Sequence, residues 1–357
     1  MFKNLNLGAL GLDSDPSTSL IHPSRCLPFE EAAEAAKIGG FEGIDIDIVE
    51  MKRILKSMSV DEVKCLVEGN GLKLGGWGLP VTLYGDEETY RRDLESLPEY
   101  AHISEELDCN RVFAWIRSFS DRLPFRENVK FHVKRLKPAA EILQDHGCYL
   151  GLEFDGTKTE RINHKYEFIY TMDGIMRLCE AIGTRNLGLL LDSWHWYTTH
   201  GTIDQLRRLK GEQVIYVHIN DAPPGIPIGE HRSFARCLPG ETGVIDLVGF
   251  LKALREIRYE GPVTPEPFFT SPLISLIFLA SLPFKESSWM RREIQRILSS
   301  YFWISILKLR MISPRMLFAS TYYLKKLREK LRETPVLEAV RMTGKFLDKV
   351  WKEAGLS

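Results

Sequence analysis

Four stretches end an apolar run in a group able to do chemistry: Glu153 in GLEFDG, Asp192 in LLLDSWH with His195 three residues on, His218 in YVHINDA and Glu266 in TPEPF. A buried run has no packing reason to end in an ionisable side chain, because an unpaired charge is expensive to bury. Brought together, three carboxylates would repel and raise one another's pKa values. A divalent cation is the simplest compensation. Three oxygens and one nitrogen, with no thiolate, favour Mn²⁺, with Mg²⁺ and Co²⁺ as the alternatives, over a structural zinc. Two open octahedral positions suit a hydroxyl and an adjacent carbonyl of a sugar. A metal-bound carbonyl acidifies its α-hydrogen through an enediolate. Two carboxylates can then remove a proton from one face and return one to the other.

Convergence of these residues requires a scaffold that brings strand ends together. Eight strand-like runs occur: 4–12, 43–48, 73–80, 111–117, 148–154, 187–193, 214–220 and 261–268. Most are too continuously apolar for half-exposed antiparallel strands and suit parallel strands covered on both faces. Helical patterns alternate with them. PFEEAAEAAKIGG opens at Pro28 and closes on Gly39 and Gly40, and IDLVGFLKALREIRYEG repeats apolar residues at three-four spacing. The alternation predicts a (β/α)8 TIM barrel over residues 1–270, with its site at the C-terminal strand ends. A doubly wound sheet is the runner-up, but GALGLDSD lacks its glycine fingerprint.

Residues 271–332 break the pattern and read as a helical, basic and hydrophobic insertion before a final barrel helix at 333–357. Twelve Lys/Arg and three Glu fall between Lys285 and Arg332, a net of +9, so the rest of the chain carries −10 against a total of −1. The mixture suits either a contact between copies of the chain, giving a homo-oligomer, or a peripheral membrane contact. Its strongly apolar run from Ile297 to Leu307 is shorter than the roughly 20 residues that span a bilayer. The six cysteines (26, 65, 109, 148, 179 and 237) form no CxxC pair, and the N-terminal segment lacks the apolar run of a signal peptide. Reduced thiols and a cytoplasmic location are therefore expected.

The stretches LEFDG, LDSWH, VHINDAP, LPGETGVIDL and GPVTPEPF resemble the sugar phosphate isomerase/epimerase superfamily, the xylose-isomerase-like TIM barrels that also include endonuclease IV. The resemblance covers residues 4–270 and 334–354. It implies that Glu153, Asp192, His218 and Glu266 are metal ligands and that Glu153 and Glu266 also move protons. His195 and an arginine of the loop after the seventh strand would hold substrate oxygens. Arg236 is preferred to Arg232 because it adjoins the Pro239–Gly240 turn, although PGETG is one residue longer than the family's usual turn. Trp77 and Trp115, near strand ends, are candidate walls for a sugar ring, as is Trp194. The expected activity is that of a metal-dependent isomerase or epimerase of a sugar or keto-sugar. The alternative is a lyase of the same fold, an inosose dehydratase or an enzyme cleaving keto-glycosides. An abasic-site endonuclease would need added histidines from the third and fourth strands, where KLGGWGLP and RVFAWIR have none. The acidic barrel also argues against nucleic acid. A non-enzymatic binding protein requires that the insertion block the site.

Overall fold

The computed structural model describes residues 1–8, 27–233, 235–267 and 335–356. Its strands are β1 (Phe2–Leu5), β2 (Gly43–Ile44), β3 (Lys73–Leu74), β4 (Trp77–Gly78), β5 (Arg111–Ile116), β6 (Phe119–Ser120), β7 (Tyr149–Phe154), β8 (Tyr166–Glu167), β9 (Leu187–Asp192), β10 (Val214–Ile219) and β11 (Pro262–Pro265). The main sheet runs β3-β2-β1-β11-β10-β9-β7-β5-β4, and its neighbours pair in parallel. β3 and β4 are halves of one run, KLGGWG. β2 pairs with the first half and β5 with the second, so the sheet closes through this split strand into the eight staves of a TIM barrel. The split falls on Gly75 and Gly76. A Cβ on Gly76 would lie 2.8 Å from the Arg111 carbonyl oxygen and 3.0 Å from the Tyr216 ring, so only glycine lets the backbones approach there. β6 and β8 form a separate antiparallel pair that the sequence patterning did not indicate.

The continuous apolar runs behave as parallel strands should. Leu150, Leu152 and Phe154 of β7, Leu189 and Leu191 of β9, and Val217 and Ile219 of β10 are fully buried, because helices cover the outer face while side chains fill the inner one. The helices are α1 (Phe29–Ile38), α2 (Ile48–Ile54), α3 (Val60–Gly69), α4 (Glu87–Glu106), α5 (Phe125–Asp145), α6 (Lys158–Arg161), α7 (Met172–Ile182), α8 (Ser193–Thr198), α9 (Ile203–Arg207), α10 (Leu247–Glu256) and α11 (Pro335–Glu353). Local sequence starts and stops them. Ser59 and Glu62 make a reciprocal capping box at α3, and α7 ends on Gly183 at φ 83°. The apolar stripe Ile175, Leu178, Cys179 and Ile182 turns α7 onto the sheet.

The final helix expected at 333–357 is α11. Val340, Leu347 and Trp351 of its expected stripe are buried, while the Val336 side chain lies outside the described residues. Part of the first expected strand, from residue 9 on, also lies outside them, as do Cys26 and the whole 271–332 segment with its expected contacts. Among the described residues, no helix is long and apolar enough to cross a membrane, and Cys65, Cys109, Cys148, Cys179 and Cys237 are free thiols.

Candidate metal centre and active site

The register of the last staves assembles the cluster. Glu153 of β7 lies beside Trp115 of β5 and Leu190 of β9. Asp192 lies beside His218. His218 lies beside Thr264, and Glu266 follows that residue by two. Since successive side chains alternate between faces, these groups share the inner face at the C-terminal rim. The candidate ligand atoms of Glu153, Asp192, His218 and Glu266 all lie within 4.8 Å of one another, and no residue of the four is more than 8% exposed.

His218 Nδ1 is 3.2 Å from Glu153 Oε1 and 3.2 Å from Glu266 Oε2, whereas its buried Nε2 has no partner among the described residues. Asp192 doubles as the N-cap of α8. Its Oδ1 accepts from the Trp194 N–H and from Asn220 Nδ2, both at 2.9 Å, which leaves Oδ2 facing the cluster. Arg236 Nη1 donates to Asp192 Oδ2 at 2.8 Å and to Glu266 Oε2 at 2.5 Å. It thus holds the oxygens that a cation would use. Its Nε–H is fixed on the Ser233 carbonyl at 2.6 Å. Arg232, the other candidate, is exposed.

The loop carrying Arg236 is secured by Asp221. That carboxylate gathers the N–H groups of Thr242 (3.0 Å), Gly243 (2.7 Å) and Ile245 (3.0 Å). Asp221 also pairs with the backbone of Cys237. Gly240 and Gly243 take the positive φ values of 71° and 72° that the longer PGETG turn needs. His195 reaches the cluster from the first turn of α8. Its Nδ1 accepts the Gly156 N–H at 3.1 Å. Nε2 stands 3.6 Å from Asp192 Oδ2 and 3.2 Å from Arg236 Nη2.

Burial, followed by repulsion from Glu266, pushes the Glu153 pKa up. Burial also opposes ionisation of Asp192, but Arg236, His195 and His218 outweigh it and hold the carboxyl below its usual range. For His218, burial favours the neutral ring, yet Glu266 and Glu153 raise its pKa well above the ordinary histidine value. These shifts have one physical origin. Three buried carboxylates face a single guanidinium, so the cluster attracts further positive charge. By donor chemistry the residues fit a divalent cation held by three carboxylates and an imidazole.

Beside the cluster lies a cleft of about 720 Å³. Trp115, 42% exposed, lines it edge to face with Tyr84 at 6.4 Å. Tyr84 is tied down from behind. Burial lowers the His132 pKa to about 4, and the neutral ring donates from Nδ1 to the Asn128 carbonyl at 2.8 Å. Nε2 therefore accepts from the Tyr84 hydroxyl at 3.0 Å.

Trp77 does not join this wall. It is fully buried, and its indole N–H donates to Ser104 Oγ at 2.8 Å and the Cys109 carbonyl at 3.0 Å. Pleat parity explains the correction. Trp77 is in register with Val112, which faces outward, whereas Phe113 packs inside against Tyr216 with ring centroids 4.7 Å apart. Trp194 is also fully buried, its N–H on Thr157 Oγ1 at 3.1 Å. Sequence reasoning passed over Asn220, Asp221 and Tyr84. The polar pair two and three residues after His218 was a signal for the first two, but nothing local marks Tyr84, which is far from the cluster in sequence.

The inosose isomerase of Bacillus velezensis is 28% identical to this chain over 184 residues, 51% of this chain and 62% of that protein. The match therefore spans less than two thirds of the relative. The 3-dehydroshikimate dehydratase of Pseudomonas aeruginosa is 26% identical over 258 residues, 71% of this chain and 38% of that protein. Among solved structures, a xylose isomerase domain protein from Alicyclobacillus acidocaldarius superimposes with a TM-score of 0.69 at 22% identity, covering 99% of each chain, a likeness of fold. The sequence profile of the xylose isomerase-like TIM barrels matches residues 32–295, and with the closed parallel barrel and its rim of acids this places the chain in that family.

Proposed function

We propose that the chain is a divalent-metal-dependent isomerase or epimerase of uncharged ketoses or inososes. The observation that carries this reading is the pair Glu153 and Glu266, two carboxyl groups held within one buried cluster beside an open cleft. Glu153, Asp192, His218 and Glu266 would hold the cation, Mn²⁺ by the donor set. When bound, it supplies Lewis acidity toward the substrate carbonyl, which acidifies the neighbouring C–H.

The chain's own residues do the rest. Glu153, whose pKa is raised by burial and by Glu266, is suited to take and return a proton. Glu266, two staves further round the barrel from β7's neighbour β9, is its counterpart for the opposite transfer. Arg236 and His195 hold substrate oxygens. Trp115 and Tyr84 cover the apolar face of the ring and shield the site from water.

The charge of the cleft supports an uncharged substrate. Among the described residues lining it, Glu153, Asp155, Glu160 and Glu266 are acidic, and Arg236 alone is a lysine or arginine. That guanidinium is already engaged by Asp192 and Glu266. A phosphate or carboxylate on the substrate would meet repulsion.

The second reading is a lyase, favoured by the dehydratase relative. It shares the first proton abstraction and differs only in losing a β-leaving group. Incubation of the Mn²⁺-loaded protein with ketoses and inososes in D₂O separates the two. Deuterium at the α-carbon with formation of the epimer or isomer supports the first reading, and loss of water supports the second. Absence of exchange with every uncharged keto-sugar, alongside turnover of a phosphorylated or carboxylated one, would overturn the substrate class.

A further inference from the structure

A second cluster of ligating side chains lies outside the site described above: His102 and Glu105 in the last turns of α4, and His146 at the C-cap of α5. Their candidate ligand atoms all lie within 4.8 Å of one another. We propose that His102, Glu105 and His146 form a second metal site, selective for a zinc-like cation, that joins the ends of α4 and α5 at the pole of the barrel opposite the active site.

The geometry is that of a shared ligand set. Glu105 Oε2 lies 2.8 Å from His146 Nδ1 and 3.8 Å from His102 Nδ1, so one carboxylate oxygen faces two imidazole nitrogens. The rings sit 6.1 Å apart and tilted by 56°. The residues come from two helices, 41 positions apart for Glu105 and His146. Local helical spacing therefore explains only the His102–Glu105 part. Two imidazoles and one carboxylate, with the remaining positions open to water, suit Zn²⁺ and its neighbours rather than the hard cations Mg²⁺ and Ca²⁺.

The electrostatics of the helix ends point the same way independently. A helix C-terminus carries partial negative charge and is stabilised by basic side chains. α4 ends in Glu105 and Glu106 and α5 in Asp145, and neither helix has a basic residue in its last turn. Two negative helix ends, closed by acids rather than bases, thus flank a pair of imidazoles. A divalent cation resolves that excess. The position follows from chain direction: α4 leads into β5 and α5 into β7, so both helices end at the N-terminal side of the sheet, away from Glu153 and Asp192.

The test is zinc stoichiometry of the full chain after dialysis against micromolar Zn²⁺, measured by elemental analysis. The double variant His102→Ala/His146→Ala should hold one zinc fewer per chain than the parent and keep the parent's α-hydrogen exchange. Asp192→Asn should lose a different equivalent, so failure of the active-site reading leaves this one measurable. Zinc should also raise the melting temperature of Asp192→Asn but give a smaller rise in a chain that lacks both histidines as well. Both histidine side chains are partly solvent-exposed, at 60% and 25%, so the substitutions leave the core intact. Equal zinc content in the parent and the double variant would overturn the proposal.

Discussion

Two buried polar clusters sit one above the other inside the barrel, two residues apart on the same strands. At the rim are His218 and Glu266. One layer below are Tyr216 and Thr264. The lower layer is held by hydrogen bonds, and among the described residues only Asn4 Oδ1 in it lacks a partner. Asn4 Nδ2 donates to Asp45 Oδ1 at 2.8 Å and lies 3.0 Å from both the Tyr216 hydroxyl and Thr264 Oγ1. Asn6 Nδ2 and the Tyr216 hydroxyl donate to Asp45 Oδ2 at 2.8 and 2.5 Å. One carboxyl is surrounded by neutral donors, so the layer needs no ion. The rim has three carboxylates and one guanidinium, and donors alone do not balance it. Polar groups that satisfy one another build structure, whereas polar groups left with an excess of one charge build a site.

The most severe way to break this contrast is at the rim. Glu153→Gln and Glu266→Gln should each lower α-hydrogen exchange by roughly 10²–10⁴-fold, the range for loss of a positioned acid or base. Metal affinity should fall less, since an amide oxygen still coordinates weakly. Asp192→Asn and His218→Ala should lose bound metal and activity together, as read by elemental analysis. Full metal occupancy in both would remove them from the ligand set.

The lower layer should respond in the opposite sense. Tyr216→Phe removes one donor from this buried network and should lower unfolding stability by about 1–3 kcal/mol, with metal content unchanged. Denaturant titration and metal analysis of the same sample check both halves. A loss of metal would show that the two layers are one functional unit.

Arg236→Gln sharpens the comparison at the rim. The guanidinium and a cation compete for Asp192 Oδ2 and Glu266 Oε2, so metal affinity should rise about tenfold, comparable to losing one charge-assisted hydrogen bond. KM for the sugar should rise as well. Unchanged affinity in direct metal titration would mean that Arg236 and the metal bind compatibly.

The smallest effect concerns Asp45. Burial, opposed by Tyr216, Asn4 and Asn6, raises its pKa to about 6 from 3.8. The folded state therefore binds more protons than the unfolded chain between these values, and this contribution to stability is lost as pH rises from about 4 to about 6. Asp45→Asn should remove that dependence. Parallel pH profiles of wild type and variant would contradict the assignment.

The eight strands and the acids at their ends were legible in the sequence because both follow from short-range pattern. Continuous apolar runs bounded by turn residues can be covered on both faces only in a parallel α/β fold, and ionisable groups stand out at the ends of such runs. Glu153, Asp192, His218 and Glu266 stand out in this way, His195 by its nearness to such an end, and Arg236 by its place beside the Pro239–Gly240 turn. Pairing and parity were not legible. Trp77 reads like Trp115 until register with Val112 turns it outward, since a shift of one residue reverses the face. The lower layer joins residues 4, 45, 216 and 264, whose proximity exists only once the barrel closes. The same closure sets Arg236 on Asp192 and Glu266, and the packing of α4 beside α5 brings His102 to His146. Local patterning determined which chemistry this chain carries, and tertiary structure decided which of those groups meet, because distances between strands and helices depend on register and closure.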